Sequence, residues 1–135
     1  MKTRWIIIVA SIGVMLAAMP LFAHHSFSAE YGGGAVTVKG KLIKFEWVNP
    51  HSWAHVEVKT ADGKIVVWKG ETPPVNLLFR NGWTKPMVEK WVTGGEEVTL
   101  TGQPAKDGTN HLFATNLTIL STGVQMTISS APTTP

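Results

Sequence analysis

The stretch that decides the fold lies near the middle of the chain and reads Glu46-Trp47-Val48-Asn49-Pro50-His51-Ser52-Trp53-Ala54-His55. It holds two of the chain's six tryptophans and two of its five histidines. Pro50 fixes its own φ and keeps Asn49 out of the helical region, so a regular element has to end at this dipeptide. We therefore predict a corner between two strands, with large rings and imidazoles on either side of it.

Upstream of the corner, apolar residues alternate with polar ones, as in a half-buried strand. Val36 and Val38 occupy even positions, and after Gly40 interrupts the pattern Ile43 and Phe45 occupy odd positions. A switch of parity at glycine indicates a β-bulge, which bends a long strand and turns its apolar side inward again. A long first strand with such a bend is typical of a small barrel.

Two further strands follow the corner. The alternation after Pro50 places Trp53 and His55 together on the outer face of the second strand, with smaller residues toward the core. Asp62-Gly63 is a hairpin signal, and residues 64–70 therefore form the third strand, antiparallel to the second.

A helical segment separates the third strand from the fourth. Thr72 can cap it, Pro73 suits its first position, and Asn81-Gly82 ends it. Helical spacing after Thr84 predicts one further turn or two. The fourth strand then covers about 97–102 and the fifth about 113–120, with a turn at Asp107-Gly108 between them.

This order of strand, strand, strand, helix, strand, strand is that of a five-stranded Greek-key barrel, the OB-fold. The sequence thus predicts a mostly β domain, an OB-like barrel at residues 35–120 with a short helix between strands three and four. The same strand count allows a small β-sandwich. OB barrels bind ligands on the face of strands two and three and in the loops that join strands one to two and four to five. The corner is the first of these loops.

The two ends of the chain differ from the domain in composition. A basic head, an apolar run over residues 5–19 and Pro20-Leu21-Phe22-Ala23 are typical of a signal peptide at residues 1–23. We expect cleavage after Ala23, although Leu21 is large for its position and leaves an uncleaved anchor as the alternative. Residues 24–34, ending in three glycines, then form a flexible leader, and the Ser, Thr and Pro-rich residues 121–135 form a disordered tail.

Composition also narrows the location and the partners. The chain has no cysteine, so burial alone has to hold an exported domain together. Removal of Lys2 and Arg4 with the signal leaves the mature chain close to neutral, without the basic surface that nucleic-acid binding requires. We predict a periplasmic or secreted protein with no membrane span after cleavage. Its unknown partner is a periplasmic small ligand or protein, and not a nucleic acid.

Several motifs resemble those of one known family. They are His24-His25-Ser26-Phe27 after the processing site, Asn49-Pro50-His51-Ser52-Trp53 at the corner, and Lys106-Asp107-Gly108 before the fifth strand. These motifs are similar to the signposts of a family of small exported bacterial proteins classed as a domain of unknown function. The similarity spans nearly the whole mature chain. It implies an exported domain and implies no reaction.

The inventory of reactive side chains argues against an enzyme. No serine stands in a nucleophile-elbow setting, and the only aspartates, Asp62 and Asp107, both precede glycine in turns. A carboxylate pair drawn from Glu46, Glu57 and Glu71 is the remaining catalytic option. Glutamates on strand faces are usually solvated, however, so we predict that the protein is not an enzyme.

An aromatic-lined binding site is the second hypothesis. Its candidate residues are Trp47, Asn49, His51 and Trp53, because they flank the first ligand loop and parity turns Trp53 outward. Such a site would hold a sugar, peptide or other small molecule without a metal. The alternative is that the tryptophans fill the core and the barrel ends, which is their more common role.

Metal binding is the third hypothesis. All the histidines, His24, His25, His51, His55 and His111, belong to the mature chain. Cleavage after Ala23 would give His24 a free amine beside its imidazole, and this nitrogen chelate favours copper. The leader is long enough to reach the barrel mouth, where His25 or His51 is the expected further ligand, ahead of His55 and His111. The alternative is that these are surface or hydrogen-bonded rings.

Overall fold

The alternating patterns on either side of the Asn49-Pro50 corner fold into two paired strands. In the computed structural model, which describes residues 27–128, β1 is Val36–Glu46 and β2 is Ser52–Lys59. The peptide bond between Asn49 and Pro50 is cis. The Asp62-Gly63 turn leads into β3, Ile65–Thr72, which pairs antiparallel with β2 as the hairpin signal predicts.

The helices and strands predicted after β3 follow in order, and a helix before the barrel and a sixth strand are added to them. They are α1 (Phe27–Glu30) before the barrel, α2 (Val75–Arg80) and α3 (Lys85–Thr93) after β3, then β4 (Glu97–Pro104), β5 (His111–Ile119) and β6 (Gln125–Thr127). Within residues 27–128, no helix has the length and apolar character needed to cross a membrane. The predicted signal peptide, His24, His25 and residues 129–135 lie outside the described residues.

The strands close into a barrel. Their order in the sheet is β3-β2-β1-β4-β5-β6, and a parallel pairing between β3 and β5 joins the first and fifth of these strands. Because β1 to β5 thus form a closed ring with helices between β3 and β4, the predicted OB-like barrel is confirmed. A sandwich of two separate sheets, the alternative, does not form.

The bulge in β1 lies beyond the glycine that predicted it. β1 pairs with β4 without interruption across Gly40, whereas its register with β2 shifts between Leu42 and Lys44. Leu42 is fully buried and Ile43 is 42% exposed, so the prediction that Ile43 faces inward is wrong. Gly40 serves close strand packing instead, because a Cβ there would lie 2.0 Å from the carbonyl oxygen of Glu57.

The helix after β3 begins later than predicted. Thr72 is a buried residue of β3, and α2 starts only at Val75, so the prediction that Thr72 caps this helix is wrong. The side-chain oxygen of Asn49 accepts a hydrogen bond from the Val75 backbone N–H at 3.1 Å. The corner therefore supplies the cap that the local sequence lacks. Thr84 caps α3 through its own side chain, as predicted.

The packed domain extends beyond both predicted boundaries. Within the predicted flexible leader, residues 27–30 form α1, and Tyr31 is buried and bridges to Ala105. At the other end, β6 pairs with β5, and Ile128 is fully buried. The domain thus begins before Ala35, and the prediction of a disordered tail is wrong for residues 121–128.

The barrel interior and the helices α2 and α3 share one apolar core. Trp83 is fully buried in it, stacks on Phe45 with ring centroids 5.6 Å apart, and meets Trp91 edge to face at 6.2 Å. Trp68 also packs against this core. Among the described residues, Trp83 is buried in the core and three further tryptophans pack against it, which leaves Trp53 as the outward-facing exception.

Replacement of Gly40 by alanine tests the close approach of β1 and β2. We expect Gly40→Ala to lower the free energy of unfolding by about 2 kcal/mol, because the added methyl group would clash with backbone that cannot move aside. Gly34→Ala is the matched control, since nothing lies within 4 Å of a Cβ at that position. Urea unfolding followed by circular dichroism measures both variants. Equal midpoints for the two would contradict this account of Gly40.

Candidate functional site

The registers of four strands build two rows of side chains on the outer face of the barrel. The first row crosses β1, β2, β3 and β5 as Glu46, Trp53, Glu71 and Phe113. The second row crosses the same strands as Lys44, His55, Lys69 and His111. Neighbouring strands lie about 4.8 Å apart, so each row is continuous. One row is acidic and aromatic, and the other carries lysines and histidines.

A cavity of about 570 Å³, here called the larger cavity, opens over the first row. Its walls are Pro50 and His51 of the corner, Trp53, Glu71, His111 and Phe113 of the barrel face, Ala105 and Asp107 of the β4–β5 loop, and Phe27, Glu30 and Tyr31 of the leader. The barrel face and both loops form the surface at which OB barrels bind ligands. The leader adds a wall that the fold alone does not provide.

Glu71 is the buried polar centre of the larger cavity. Its side chain belongs to a residue only 8% exposed, and it accepts a hydrogen bond from the Tyr31 hydroxyl through Oε2. Nδ1 of His51 lies 2.9 Å from Oε1 of the same carboxylate. A buried carboxylate is tolerated only with such partners. Glu71 therefore ties the leader and the corner to β3.

The phenol of Tyr31 is held in its protonated form. Burial raises the pKa of Tyr31 most, and the hydrogen bond to Glu71 raises it further. The negative charges of Glu71, Glu30 and Asp107 act on the pKa in the same direction. Tyr31 thus remains a hydrogen-bond donor, and its surroundings are electrostatically negative.

Aromatic rings make up most of the remaining wall. The centroids of Phe27 and Phe113 lie 4.7 Å apart in an edge-to-face arrangement, and Tyr31 lies 5.8 Å from each of them. The Trp53 ring lies 5.9 Å from the ring of His111. The packing of Phe27 and Tyr31 on Phe113 explains why the leader lies against the barrel at this point.

A smaller cavity of about 160 Å³ adjoins the larger one and shares Trp53 and His111 with it. His55 lines this smaller cavity, and its Nε2 lies 3.2 Å from Oε1 of Glu46. The two atoms are close enough for charge attraction, but this buried nitrogen has no well-aligned hydrogen-bond partner. Burial, with the positive charges of Lys44 and Lys69, outweighs Glu46 and lowers the pKa of His55, which favours the neutral imidazole.

The candidate binding residues divide between two places. His51 and Trp53 line the larger cavity. Trp47 instead packs on Phe45 and Phe79, with centroid distances of 4.7 and 5.5 Å, and lines a separate groove against α3. Asn49 caps α2. The structure thus gives Trp47 and Asn49 places in the scaffold rather than in this cavity.

The candidate metal ligands are only partly brought together. His51 and His111 line the larger cavity, and His55 and His111 line the smaller one. No group of three histidine, aspartate or glutamate side chains within residues 27–128 is arranged to hold a metal ion. His51, His55 and His111 therefore do not form a metal site by themselves.

Sequence reasoning missed the leader residues and the role of Glu71. The sequence places Phe27 and Tyr31 in the predicted flexible leader, and it indicates Glu71 only as one member of a catalytic pair. The hairpin itself carries a signal, because counting outward from the three-residue turn 61–63, with Thr60 opposite Lys64, pairs Trp53 with Glu71. No local pattern, however, indicates that the leader buries this carboxylate.

Comparison with known proteins finds one family. A family described as a family of unknown function (DUF6152) matches the chain over residues 11–114. This range includes every residue that lines the larger cavity. No curated protein matches the chain.

Titration of Tyr31 tests the Glu71 contact, because Tyr31 is the only tyrosine. We expect the ultraviolet phenolate absorbance of the folded protein to rise at higher pH than in urea, where the pKa is about 10. Since the folded state holds the phenol proton more tightly, the contribution of Tyr31 to the free energy of unfolding is constant below about pH 10 and falls above it.

Removal of the Glu71 charge has a defined effect on the same titration. Glu71→Gln lowers the pKa of Tyr31 toward its ordinary value, because one negative neighbour is lost. The matched control is Glu57→Gln, on the same outer face of β2 but outside both cavities. Identical titrations of wild type and Glu71→Gln would contradict the contact.

Proposed function

The chain belongs to DUF6152, a family of unknown function, and we propose that it is an exported, periplasmic binding or accessory domain. In this proposal the larger cavity takes a small organic ligand. The protein acts by binding, without catalysis and without a resident cofactor.

The observation that carries this proposal is the buried Glu71 carboxylate in the wall of the larger cavity. A carboxylate buried beside aromatic rings adds less to stability than an apolar side chain of similar size would. Its presence, together with the raised pKa of Tyr31, is the kind of arrangement that marks ligand sites. The volume of 570 Å³ also falls within the range of small-molecule pockets, about 300 to 1,000 Å³.

The three glutamates that the sequence offers as a catalytic pair lie in different places. Glu71 lines the larger cavity and Glu46 the smaller one, with Trp53 between them in the first row. Glu57 lines neither cavity. The carboxylate pair considered for general acid and base chemistry is thus not assembled around one space.

Nuclear magnetic resonance with a panel of small amines, sugars and carboxylic acids tests the binding role. We expect a ligand to perturb the Trp53 indole and the amides of the corner and the β4–β5 loop. Trp53→Leu abolishes these changes because it removes one wall of the cavity. Trp47→Leu is the matched control, since Trp47 lines the separate groove. A panel without any response at the larger cavity would overturn the proposed function.

Copper binding is the second candidate, and the position of Phe27 favours it. Phe27 lines the larger cavity together with His51 and His111, and His24 precedes Phe27 by only three residues. Three residues span at most about 10 Å, so the amine and imidazole of a His24 terminus are within reach of the cavity mouth.

His51 is the expected further copper ligand. Its Nδ1 lies against Glu71, and this orientation of histidine by a carboxylate is common at metal sites because it directs Nε2 toward the ion. The side chain of His51 is also 47% exposed. His55 is less suitable, because its Nε2 already faces Glu46. His25 and His111 remain alternative ligands.

One preparation tests both export and copper binding. We expect protein recovered from the periplasm to have an intact mass that begins at His24. Calorimetry with Cu(II) is expected to show about tenfold weaker binding for His51→Ala and weaker binding for a form with one extra residue before His24. The control His55→Ala retains wild-type affinity. A retained signal peptide would contradict cleavage, and unchanged affinity in both altered forms would contradict a preformed site.

A further inference from the structure

We propose that the ligand of the larger cavity is an organic cation, an amine or quaternary ammonium compound, held between aromatic rings and the Glu71 carboxylate. This inference rests on the proposed function, because it names the ligand class of the same cavity. Aromatic lining, the sign of the charges and the kind of polar atoms each support it.

Four aromatic side chains line the larger cavity. They are Phe27, Tyr31, Trp53 and Phe113. Aromatic rings attract a cation that lies within about 6 Å of the ring centroid, and tryptophan does so best. The leader and the barrel face both contribute rings, so an occupant of the cavity contacts aromatic surface from two separate parts of the chain. Such surroundings suit the methyl or methylene groups of an alkylammonium ion as well as its charge.

The wall is rich in carboxylates. Glu71, Glu30 and Asp107 line the larger cavity, and among the described residues no lysine or arginine does so. The titratable imidazoles of His51 and His111 also line it. Two lysines lie near the cavity without lining it. Lys69 lines the smaller cavity, and the ammonium group of Lys106 donates to the backbone carbonyl of Ser28 at 2.6 Å.

Burial of Glu71 strengthens the attraction between its charge and a cation in the larger cavity. Its contacts are the neutral phenol of Tyr31 and the imidazole of His51, and each carboxylate oxygen can accept a further hydrogen bond. Attraction between opposite charges is several times stronger in a partly buried site than in water. A cation entering the cavity would therefore gain most from the one carboxylate that the scaffold has buried.

Other ligand classes fit this wall less well. An anion would be repelled by the buried charge of Glu71, and none of the described residues that line the larger cavity is a lysine or arginine. A sugar could stack on the rings and donate to the carboxylates, but its neutral hydroxyl groups would gain less from the buried charge of Glu71 than a cation would. A cation-binding cavity thus accounts for the rings and the carboxylates together.

Calorimetry with choline and its neutral isostere, 3,3-dimethylbutan-1-ol, tests the ligand class on the full domain. The two probes have nearly the same shape and differ in charge. We expect choline to bind at least about tenfold more tightly than the isostere. Tetramethylammonium and methylammonium serve as additional cationic probes.

Four variants locate the effect. Glu71→Gln keeps an acceptor for Tyr31 but removes the charge, so it weakens choline about tenfold and leaves the isostere unchanged. Glu57→Gln, the matched control, changes neither. If Glu71→Gln does not fold, Trp53→Leu provides the test, because loss of the ring weakens choline while Trp53→Phe retains much of the affinity.

The outcomes separate this inference from the proposed function. Equal affinity for choline and the isostere would overturn the proposal of a cationic ligand. The absence of binding by all three cationic probes at millimolar concentration would overturn it as well. If other small molecules still perturb the Trp53 indole, the binding function stands with a different ligand class. If no compound of any class occupies the larger cavity, both proposals fail.

Discussion

The contact of one buried carboxylate with two distant segments holds the site together. Glu71 lies on β3, Tyr31 follows α1 in the leader, and His51 belongs to the corner. Loss of one partner of a buried charged group is destabilising, because the charge is left with less compensation. The leader and the corner are thus fixed to the barrel by the same side chain that faces the cavity.

The corner has two roles because neighbouring residues point to different parts of the structure. Asn49 caps α2 through its side chain, and the buried Ser52 donates to the carbonyl of Val48 at 3.0 Å. Between them, His51 faces the larger cavity. The imidazole is therefore positioned by contacts that serve the packing of the helix against the barrel.

Local signals explain which parts of this structure the sequence predicts. The Asn49-Pro50 corner, the Asp62-Gly63 hairpin and the cap at Thr84 depend on residues close together in the chain, and each forms as predicted. The position of the bulge does not depend on nearby residues alone, because the register of β1 against both β2 and β4 decides it. A parity switch locates it only within a few residues, and Gly40 was the wrong choice.

The site was less predictable than the fold because its wall is assembled from distant segments. Parity identified Trp53 and the corner identified His51, and both line the larger cavity. Tyr31 had no such signal. The four-residue helix α1 is too short to be stable alone, so its place depends on packing against Phe113, far along the chain. Trp47 is the opposite case, because its position at the corner predicts a ligand contact. It packs against Phe79 of α2 instead and does not line the larger cavity.

The register of the hairpin between β2 and β3 determines the charge of the larger cavity. Trp53 lies opposite Glu71, and His55 lies opposite Lys69. A shift of two residues would keep every side chain on its face, yet it would place the lysine opposite Trp53. The tight Asp62-Gly63 turn prevents that shift because its length fixes the pairing of the strands that it joins. A turn at the far end of the hairpin thus decides that a carboxylate, and not an amine, lies beneath the aromatic wall.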